Sequence, residues 1–437
     1  MIRRRLVCVV AAVSGLLVLL PVSAGASVEH DAVVSDNPAN ATPVLVDTTA
    51  DGVALHVDAI DQEGNTLYAG GFFGTVANST SNGGQRYARS NLFAFDANTY
   101  AVSETFAPVV DNNVWAVEAT STAVYIGGEF RTVNGVASPA LAKLDPVTGA
   151  VDPLFDAGFT GGRIDDIQLV EDKLIVAGKN GQKLMALNPA TGHNTRYIDL
   201  DISGTVALSR GGATIFDFAV NPDGTQLIAV GNFLTVAGQS RSKFMMVDLT
   251  GPEATLNPWY YDPFEQTCAT RHARRVAYLQ GVDYSPDGSH FAVTATGQII
   301  DEPGDRNVTV CDAAGYFSVD DESQPLWINY TGGDSVWATA VTGAAVYVQG
   351  HFSWLDNPYG FASDCTDKPD TLPPCAARKG VGAIDPLTGY ALPWNPSKPA
   401  RLGGKQFLAT PEGLWIVSDS RRINGEQRYG LAFMPLP

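Results

Sequence analysis

The sequence predicts an all-β protein built from one repeated unit. Its strand signals are short runs of apolar or alternating residues, each bounded by Gly, Asn, Asp or Pro. The clearest unit has strand-like runs at residues 114–118, 123–130 and 141–144, with turn residues Asn134 and Gly135 between the last two. Beyond residue 26, no segment sustains the periodicity of a helix.

The first run of this unit recurs along the chain. Its seven copies begin at Val57, Val114, Ile164, Ile215, Leu279, Val336 and Gln406. Units of roughly 50–60 residues with three or four strands are typical of propeller blades, which bury their faces against neighbouring blades. We therefore predict a seven-bladed β-propeller over residues 54–437.

The two ends of the chain predict how the ring closes. The last repeat stops at residues 433–435 after its third strand, and an apolar run at residues 43–47 precedes the first repeat. A stack of apolar sheets must close into a ring or leave two faces exposed. We expect this run, within the N-terminal segment 27–53, to supply the outer strand of the last blade.

Residues 1–26 have the pattern of a secretory signal peptide. Three arginines at residues 3–5 precede an apolar stretch at residues 6–22, and small residues end at Ala26, the expected cleavage site. An apolar stretch of this length could also span a bilayer as an uncleaved anchor. Pro21 favours cleavage, because it breaks a helix near the cut. We expect a secreted, extracellular protein without a transmembrane segment after cleavage.

The charge balance excludes some partners. The chain has 28 basic and 46 acidic residues and a formal net charge of −18. Such a surface repels phosphate backbones and anionic membranes, so nucleic acid is not an expected partner. The acidity serves solubility, and it would also attract cations, calcium among them.

Four cysteines lie beyond the signal: Cys268, Cys311, Cys365 and Cys375. An even count in an exported protein predicts disulfides. Cys365 and Cys375 bracket a Pro-rich loop, and we predict that they pair. Cys268 and Cys311 would then pair by elimination. However, if Cys311 ends a third strand, it lies roughly 13 Å from the loop of Cys268, beyond disulfide reach. Either that loop approaches the blade or the two thiols stay unpaired.

The repeat also resembles a known family. The runs AVYIGGEF at residues 123–130, NG at 134–135 and LAKLDPVTG at 141–149 are similar to the delta-60 repeats of secreted bacterial β-propellers. The resemblance covers nearly all of residues 54–437. That family is defined by its repeat, so the resemblance implies the fold and no general activity.

Propeller connectivity divides the loops between two faces. The turn face carries the short turns from strand one to two and from three to four. The long-loop face carries the loops from strand two to three and the crossovers between blades, with insertions at residues 73–90, 258–275, 297–307 and 351–380. Binding groups concentrate on long loops held by a rigid scaffold, so we predict that ligands bind at the long-loop face.

Two loops of this face carry the predicted ligand-binding residues. They are Trp259, Tyr260, Arg271, His272, Arg274, His351 and Trp354. Aromatic rings beside arginines could stack on and clamp a sugar or an anion. Alternatively, the rings cover blade edges and the arginines pair with local carboxylates, which is the more frequent arrangement.

Acidic residues recur on the first strands, which surround the channel of a propeller. They are Asp58, Glu118, Asp165, Asp166, Asp217 and Asp283. A ring of carboxylates could hold calcium through oxygen ligands. More often such residues line a wet channel, so no metal and no cofactor is the expectation.

The sequence contains no catalytic motif of a hydrolase, a metalloprotease or a phosphate-binding enzyme. His272 and His351 are the histidines of the long-loop face that could act as general acid or base. We expect a monomer that binds an extracellular glycan, small molecule or protein. The alternatives are a secreted hydrolase or lyase acting on a polysaccharide or another polymer in the same cleft, and a cell-surface structural module.

Overall fold

The computed structural model describes residues 28–46, 54–270, 273–274, 276–297, 309–359, 365, 374–399 and 404–437. The described chain is almost entirely β-structure, and its helical segments are two short 3-10 helices at Thr80–Asn82 and Asp262–Glu265. The prediction of an all-β chain is therefore confirmed. Within these residues no helix has the length and apolar character needed to cross a membrane.

The strands of the described residues are short and numerous. In chain order they are β1 (Val44–Leu45), β2 (His56–Glu63), β3 (Thr66–Phe72), β4 (Thr75–Ala77), β5 (Arg86–Ala88), β6 (Leu92–Asp96), β7 (Val114–Ala119), β8 (Val124–Gly128), β9 (Thr132–Val133), β10 (Val136–Ala137), β11 (Leu141–Leu144), β12 (Arg163–Val170), β13 (Lys173–Lys179), β14 (Leu184–Leu187), β15 (Ile202–Ser203), β16 (Ile215–Val220), β17 (Gln226–Gly231), β18 (Thr235–Val236), β19 (Gln239–Ser240), β20 (Phe244–Asp248), β21 (Thr255–Leu256), β22 (Ala269–Thr270), β23 (Ala273–Arg274), β24 (Leu279–Tyr284), β25 (His290–Ala295), β26 (Ala313–Ser318), β27 (Trp327–Tyr330), β28 (Val336–Val341), β29 (Val346–Gly350), β30 (Trp354–Leu355), β31 (Ala376–Ala377), β32 (Val381–Ile384), β33 (Gln406–Thr410), β34 (Gly413–Val417), β35 (Arg422–Ile423), β36 (Glu426–Gln427) and β37 (Leu431–Pro435).

Seven main antiparallel sheets of three or four strands occur among the described residues, and each begins with one of the predicted first strands. In chain order, sheets 1 to 7 are β2-β3-β6, β7-β8-β11, β12-β13-β14, β16-β17-β20-β21, β24-β25-β26-β27, β28-β29-β32 and β33-β34-β37. Small hairpins such as β9-β10 and β35-β36 occupy the loops between second and third strands. Those loops form part of the long-loop face.

Neighbouring sheets pack face to face. One buried cluster joins Ala59 and Tyr68 of sheet 1 to Ile126 of sheet 2. Another joins sheet 1 to sheet 7, where the Trp415 ring lies edge-on to Phe95 at 5.3 Å between centroids. The apolar faces of sheets 1 and 7 therefore cover one another.

Glycines of the second strands permit this close approach. A Cβ on Gly127 would lie 2.5 Å from Cγ2 of Ile164 in the next sheet, and a Cβ on Gly70 would lie 2.5 Å from Cγ1 of Val114. Both distances are far below van der Waals contact. The Gly-Gly pair of the repeat thus has a packing function in sheets 1 and 2.

The Asp-Pro-x-Thr-Gly turns join sheets at the turn face. Asp145 Oδ1 accepts hydrogen bonds from the N–H and the hydroxyl of Thr148, which fixes the turn. The Tyr68 hydroxyl of sheet 1 then donates to Pro146 O at 2.9 Å, and the Tyr125 hydroxyl of sheet 2 donates to Pro189 O at 2.8 Å. The turn of one sheet is therefore held by an aromatic residue of the sheet before it.

The structure corrects the placement of the N-terminal strand. We expected residues 43–47 at the outer edge of the last sheet, but Val44 and Leu45 pair with β4 in an insertion of sheet 1. The edge of β37 is instead met by an irregular stretch, in which Ser35 N donates to Pro435 O and Ala39 N to Phe433 O, both at 2.8 Å. This stretch does not form a strand because its two contacts do not follow a regular ladder register.

Both pairs of cysteines are bonded. Cys365 pairs with Cys375 as predicted, with 6.0 Å between Cα atoms. Cys268 also pairs with Cys311, at a Cα separation of 5.8 Å. The expectation that Cys311 lies beyond disulfide reach of Cys268 was wrong, because Cys311 precedes the third strand β26 and does not end it. Both cysteines therefore lie on the long-loop side of sheet 5.

Candidate functional site

Residues of the first strands of all seven sheets line two cavities, and we call the space between these strands the channel. The larger, of about 410 Å³, reaches the turn residues Gly64 and Pro411 and so lies toward the turn face. The smaller, of about 50 Å³, lies at the beginnings of the first strands, toward the long-loop face. Lys405 and Gln406 line both cavities.

β-Bulges direct one side chain of each of six first strands into the smaller cavity. The unpaired residues in these strands are Asp58, Trp115, Asp165, Phe216, Gln280 and Trp337. A bulge re-aims the extra residue of a strand, and all six line the cavity, as does Lys405 immediately before β33. We call these seven residues the bulge ring.

The glycine at the end of the second strand permits the bulge. A Cβ on Gly128 would lie 2.1 Å from the carbonyl oxygen of Asn113, and Gly71 and Gly350 are in the same position against His56 O and Ser335 O, at 2.2 Å each. A side chain there would collide with the bulged backbone. The glycine of the repeat and the bulge ring therefore form one structural device.

One half of the bulge ring is charged. Lys405 Nζ stands 3.6 Å above the centroid of the Trp115 ring, and Arg163 Cζ lies 5.0 Å from the same centroid. Arg163 donates two hydrogen bonds to Asp165, at 2.9 and 2.8 Å. Burial lowers the pKa of Lys405. Lys405 forms no ion pair with a carboxylate of the described residues.

Asp58 of the ring is held by two neighbours. His56 Nε2 lies 3.1 Å from Asp58 Oδ2, and Asn113 Nδ2 donates to the same oxygen at 2.9 Å. Burial disfavours the charged imidazole, but the hydrogen bond and the negative charge of Asp58 outweigh it and raise the pKa of His56. Asp58 thus has fixed partners and a fixed orientation.

The opposite half of the ring is aromatic. Trp337 lies 5.9 Å from the ring of His351, and Phe216 lies 5.1 Å from Tyr278, between centroids. Around both halves of the ring, four buried polar atoms lack a hydrogen-bond partner among the described residues: Trp115 Nε1, Trp337 Nε1, Asn113 Oδ1 and His351 Nε2. Unsatisfied buried polar atoms are rare in native proteins, so their concentration here indicates a site that a ligand or water completes.

The acidic residues deeper in the channel tie neighbouring sheets together. Each accepts a hydrogen bond from a backbone N–H of the next sheet. The pairs are Asp61 with Ala119 at 2.6 Å, Glu118 with Leu169 at 2.9 Å, Asp166 with Phe218 at 3.1 Å, Asp217 with Val282 at 2.8 Å, and Asp283 with Val341 at 2.7 Å. Gln406 of sheet 7 continues the series by accepting from Ile60 N of sheet 1 at 2.7 Å.

Sheet 6 departs from this series. Its corresponding first-strand positions are Ala338 and Ala340, whose side chains carry no hydrogen-bond acceptor. There Gln349 Nε2 donates to Gln406 O of sheet 7 at 2.8 Å instead. Polar contacts therefore join each sheet to its neighbour around the channel, and no group of three metal-ligating side chains was found among the described residues.

Burial changes the protonation of these carboxyls. It raises the pKa of Asp61 and of Asp166 to about 7, and that of Glu118 and Asp217 well above the usual range. Asp166 and Asp217 also share a hydrogen bond. Burial, and then repulsion by the negative charge of Asp166, raise the pKa of Asp217.

The sequence-predicted ligand residues are only partly brought together. Trp259 and Tyr260 are core residues, 4% and 8% exposed, with Trp259 packed against Phe244, Phe291 and Phe317. The crossover folds its aromatic residues against sheet 5, which is the alternative that the sequence left open. The Tyr260 hydroxyl is occupied by the backbone of Ser242.

His351 lies beside the bulge ring through Trp337. Trp354 begins the hairpin β30-β31, opposite Ala377, and does not line the smaller cavity. Arg271 and His272 lie outside the described residues, and Arg274 is described only as part of the short strand β23. The role of these loop residues in binding stays a prediction.

Sequence reasoning missed Trp115, Trp337, Arg163 and Lys405. A signal for two of them was present, since the run Val-Trp-Ala occurs both at residues 114–116 and at 336–338. The glycine that ends the second strand was a further signal, because an isolated strand glycine often marks a bulge. Lys405 had no such signal, since it lies next to the strand and not within the repeat.

Comparison with known proteins shows the fold. Neither a protein-family model nor a curated protein matches this chain. Among solved structures, the crystal structure of RRP9 WD40 repeats is similar with a TM-score of 0.50 and 8% identity over 92% of this chain and 99% of that chain. WD40 repeats form β-propellers. The chain has a β-propeller fold.

Two other solved structures match at lower TM-scores. The structure of U3-55K is similar with a TM-score of 0.48 and 9% identity over 92% of this chain and 100% of that chain. The computationally designed Ika8 protein has a TM-score of 0.46 and 10% identity over 90% of this chain and 98% of that chain. At such identities the likeness concerns the fold and does not extend to function.

Proposed function

We propose that this protein is a secreted seven-bladed β-propeller that binds a small extracellular ligand at the bulge ring. The carrying observation is that Trp115 and Trp337, whose buried indole N–H groups have no hydrogen-bond partner among the described residues, line one cavity with residues of all seven sheets. Ligand sites combine apolar walls with a few placed polar groups. The bulge ring has this composition.

Ring closure between sheets 1 and 7 is part of the proposal. Three contacts support it: the Trp415–Phe95 packing, the hydrogen bond from Ile60 N to Gln406, and the bond from Val57 N to Ser418 O at 3.2 Å. A closed ring holds the bulge residues at fixed distances from one another. Such preorganisation reduces the entropy that a ligand must lose on binding.

The chemistry of the ring favours an oxygen-rich ligand with a ring face, such as a sugar. The indole N–H groups and the Lys405 ammonium are donors for hydroxyl or carboxyl oxygens, and the Trp337 and Phe216 rings offer apolar faces. A cavity of about 50 Å³ admits one terminal group. The remainder of the ligand would lie under the long loops, where we propose that Arg271, His272, Arg274 and Trp354 contact it.

The experiment is a glycan array with the full secreted protein, followed by titration of each hit. Trp115→Phe and Trp337→Phe keep an aromatic ring and remove the N–H, so each should weaken binding by about tenfold. Trp327→Phe is the matched control, because its indole donates to Pro386 O at the turn face. Its affinity should equal that of the wild type.

Three outcomes would overturn the proposal. Unchanged binding in both ring variants, with loss in Arg271→Ala/Arg274→Ala, would place the site on the loops alone. Product formation from a bound polymer would make the protein a hydrolase or lyase, with His351 beside Trp337 as a candidate general acid or base. An empty array, together with an empty panel of small sugar acids, would favour a structural module.

A further inference from the structure

The larger cavity of the channel has an unbalanced charge. Six carboxyl groups line it, those of Asp61, Glu63, Glu118, Asp166, Asp217 and Asp283, and Lys405 is the only basic residue among its lining residues. At about 410 Å³ it has the size of a small-molecule site. It shares Asp166, Asp217 and Lys405 with the smaller cavity, but it extends beyond the bulge ring to Gly64 and Pro411 at its outer end.

The ammonium group of Lys405 does not compensate these carboxyls. Its Nζ lies over Trp115, and Trp115 lines the smaller cavity and not the larger. The carboxylates that act most strongly on it are Asp165 and Asp58, both members of the bulge ring. The aliphatic part of the Lys405 side chain thus borders the larger cavity, while its ammonium group lies against residues of the bulge ring.

A second feature of the cavity wall also lacks a partner. Thr339 is 9% exposed, lines the larger cavity, and its Oγ1 forms no hydrogen bond. In the other first strands the equivalent position is apolar, as in Ile60, Val117 and Phe218. A hydroxyl at this position has no packing advantage over valine, and it supplies an acceptor oxygen near the acidic groups.

We propose that the larger cavity is a binding site for a small organic cation carrying primary ammonium groups. Its N–H donors would bond the carboxylates of Glu118, Asp166 and Asp217, with Thr339 Oγ1 as an additional acceptor. Charge-assisted hydrogen bonds of this kind are strong in a site with restricted water. The apolar walls of Phe218 and Phe407 would contact the methylene groups between two ammonium ends.

The geometry favours an organic cation over a metal ion. No group of three described side chains converges closely enough to coordinate a metal. The carboxyls are distributed around the channel, one for each of several sheets, because each is fixed by a backbone N–H of its neighbour. An elongated molecule with separated charges can contact groups that are too far apart to share one ion.

Binding should be linked to protons. Asp61, Glu118, Asp166 and Asp217 hold protons more tightly than usual because they are buried, and Glu63, Asp283 and Lys405 are the other titratable groups that line the cavity. A cation stabilises the ionised carboxyls, so its binding must release protons. Affinity should therefore rise as the pH increases from 6 to 8.

The test is calorimetric titration of the full secreted protein with 1,5-diaminopentane. We expect binding at pH 8, weaker binding at pH 6, and proton release that appears as a buffer-dependent heat. Glu118→Gln/Asp217→Asn should weaken binding by about tenfold or more. Asp172→Asn removes one carboxyl group at an exposed turn, changes no lining residue of the cavity, and is the control.

Thr339→Val is the second variant, since it keeps the shape of the side chain if the double variant fails to fold. It should weaken binding severalfold and leave the buffer-dependent heat in place. No diamine binding by the wild type at pH 8, or equal binding by the wild type and Thr339→Val without proton release, would overturn the proposal. So would displacement of the diamine by equimolar calcium, which would assign the cavity to a metal ion. Sugar binding at the bulge ring is measured separately and is independent of these results.

Discussion

The carboxyl pair of Asp166 and Asp217 shows how one residue type serves two purposes here. Each side chain accepts a backbone N–H of the next sheet, at 3.1 and 2.8 Å, so each contributes to packing. Each is also buried, and burial disfavours its charge. The result is a pair of neighbouring buried carboxyls whose pKa values are both raised.

The raised pKa values make stability depend on pH. In the unfolded chain these acids titrate near pH 4, whereas in the folded protein the pKa of Asp61 and Asp166 is about 7. Their contribution to stability is fully present below pH 4 and is lost as the pH rises through 7. Carboxyls with a lowered pKa, such as Asp145 and Asp287, make stability depend on pH only below about pH 4.

We therefore predict a higher Tm at pH 5 than at pH 8, by about 5 °C, measured by thermal unfolding in buffers of equal ionic strength. Asp217→Asn keeps an acceptor for Val282 N and a donor for Asp166, and it removes one titrating group. The difference between the two pH values should shrink in this variant. A wild-type Tm that rises from pH 5 to pH 8 would contradict the assignment of buried, protonated carboxyls.

At the scale of the strands, the bulge explains why the repeat contains its glycine. Gly71, Gly128 and Gly350 each face a bulged first strand, where a Cβ would collide with a carbonyl oxygen. The bulge in turn places a variable residue in the channel, namely Asp58, Trp115 or Trp337. A constant backbone device therefore carries side chains of different chemistry, and those side chains decide what the channel can bind.

The crossover after sheet 4 is the element that the sequence described least well. The sequence left two arrangements open for its aromatic residues, and in the structure Trp259 and Phe264 pack in the core with Phe317 of sheet 5. Cys268 lies in the same buried cluster as Cys311. The disulfide thus fastens a long crossover onto the sheet that follows it.

We predict that Cys268→Ala/Cys311→Ala lowers the free energy of unfolding by about 4 kcal/mol, because the bond closes a 43-residue loop in the unfolded chain. Cys365→Ala/Cys375→Ala is the matched control, since it opens a loop of only 10 residues. Denaturant titration would measure both. A loss in the control that equals or exceeds the loss in the first variant would contradict this account.

At the scale of the whole molecule, the N-terminal segment covers the place where sheets 1, 6 and 7 meet. His30 forms hydrogen bonds to two of these sheets. Its backbone N–H donates to Thr342 O, and its ring Nε2 bonds to Thr410 O, both at 2.8 Å. Val34 and Leu45 are buried in two different clusters. The segment therefore stabilises the meeting of the chain ends, although its strand belongs to an insertion of sheet 1.

Deletion of residues 28–46 should lower the Tm by about 10 °C, because it exposes the surface now covered by Val34 and Leu45 and removes the backbone hydrogen bonds of Ser35 and Ala39 to β37. Differential scanning calorimetry would measure the change. Asp31→Ala, at an exposed position of the same segment, is the control and should leave the Tm unaltered. An unchanged Tm after deletion would show that the ends meet without this segment.

The sequence by itself determined the all-β character, the positions of the first strands and the Cys365–Cys375 pair. These follow from local patterns: alternation, turn residues and cysteines close in the chain. The tertiary structure alone decided which side chains meet in the channel. Lys405, Trp115 and Asp165 come from three different sheets, and Lys405 lies hundreds of residues after the other two in the sequence. Their proximity depends on bulges and on the packing of each sheet against the next, which no local pattern encodes.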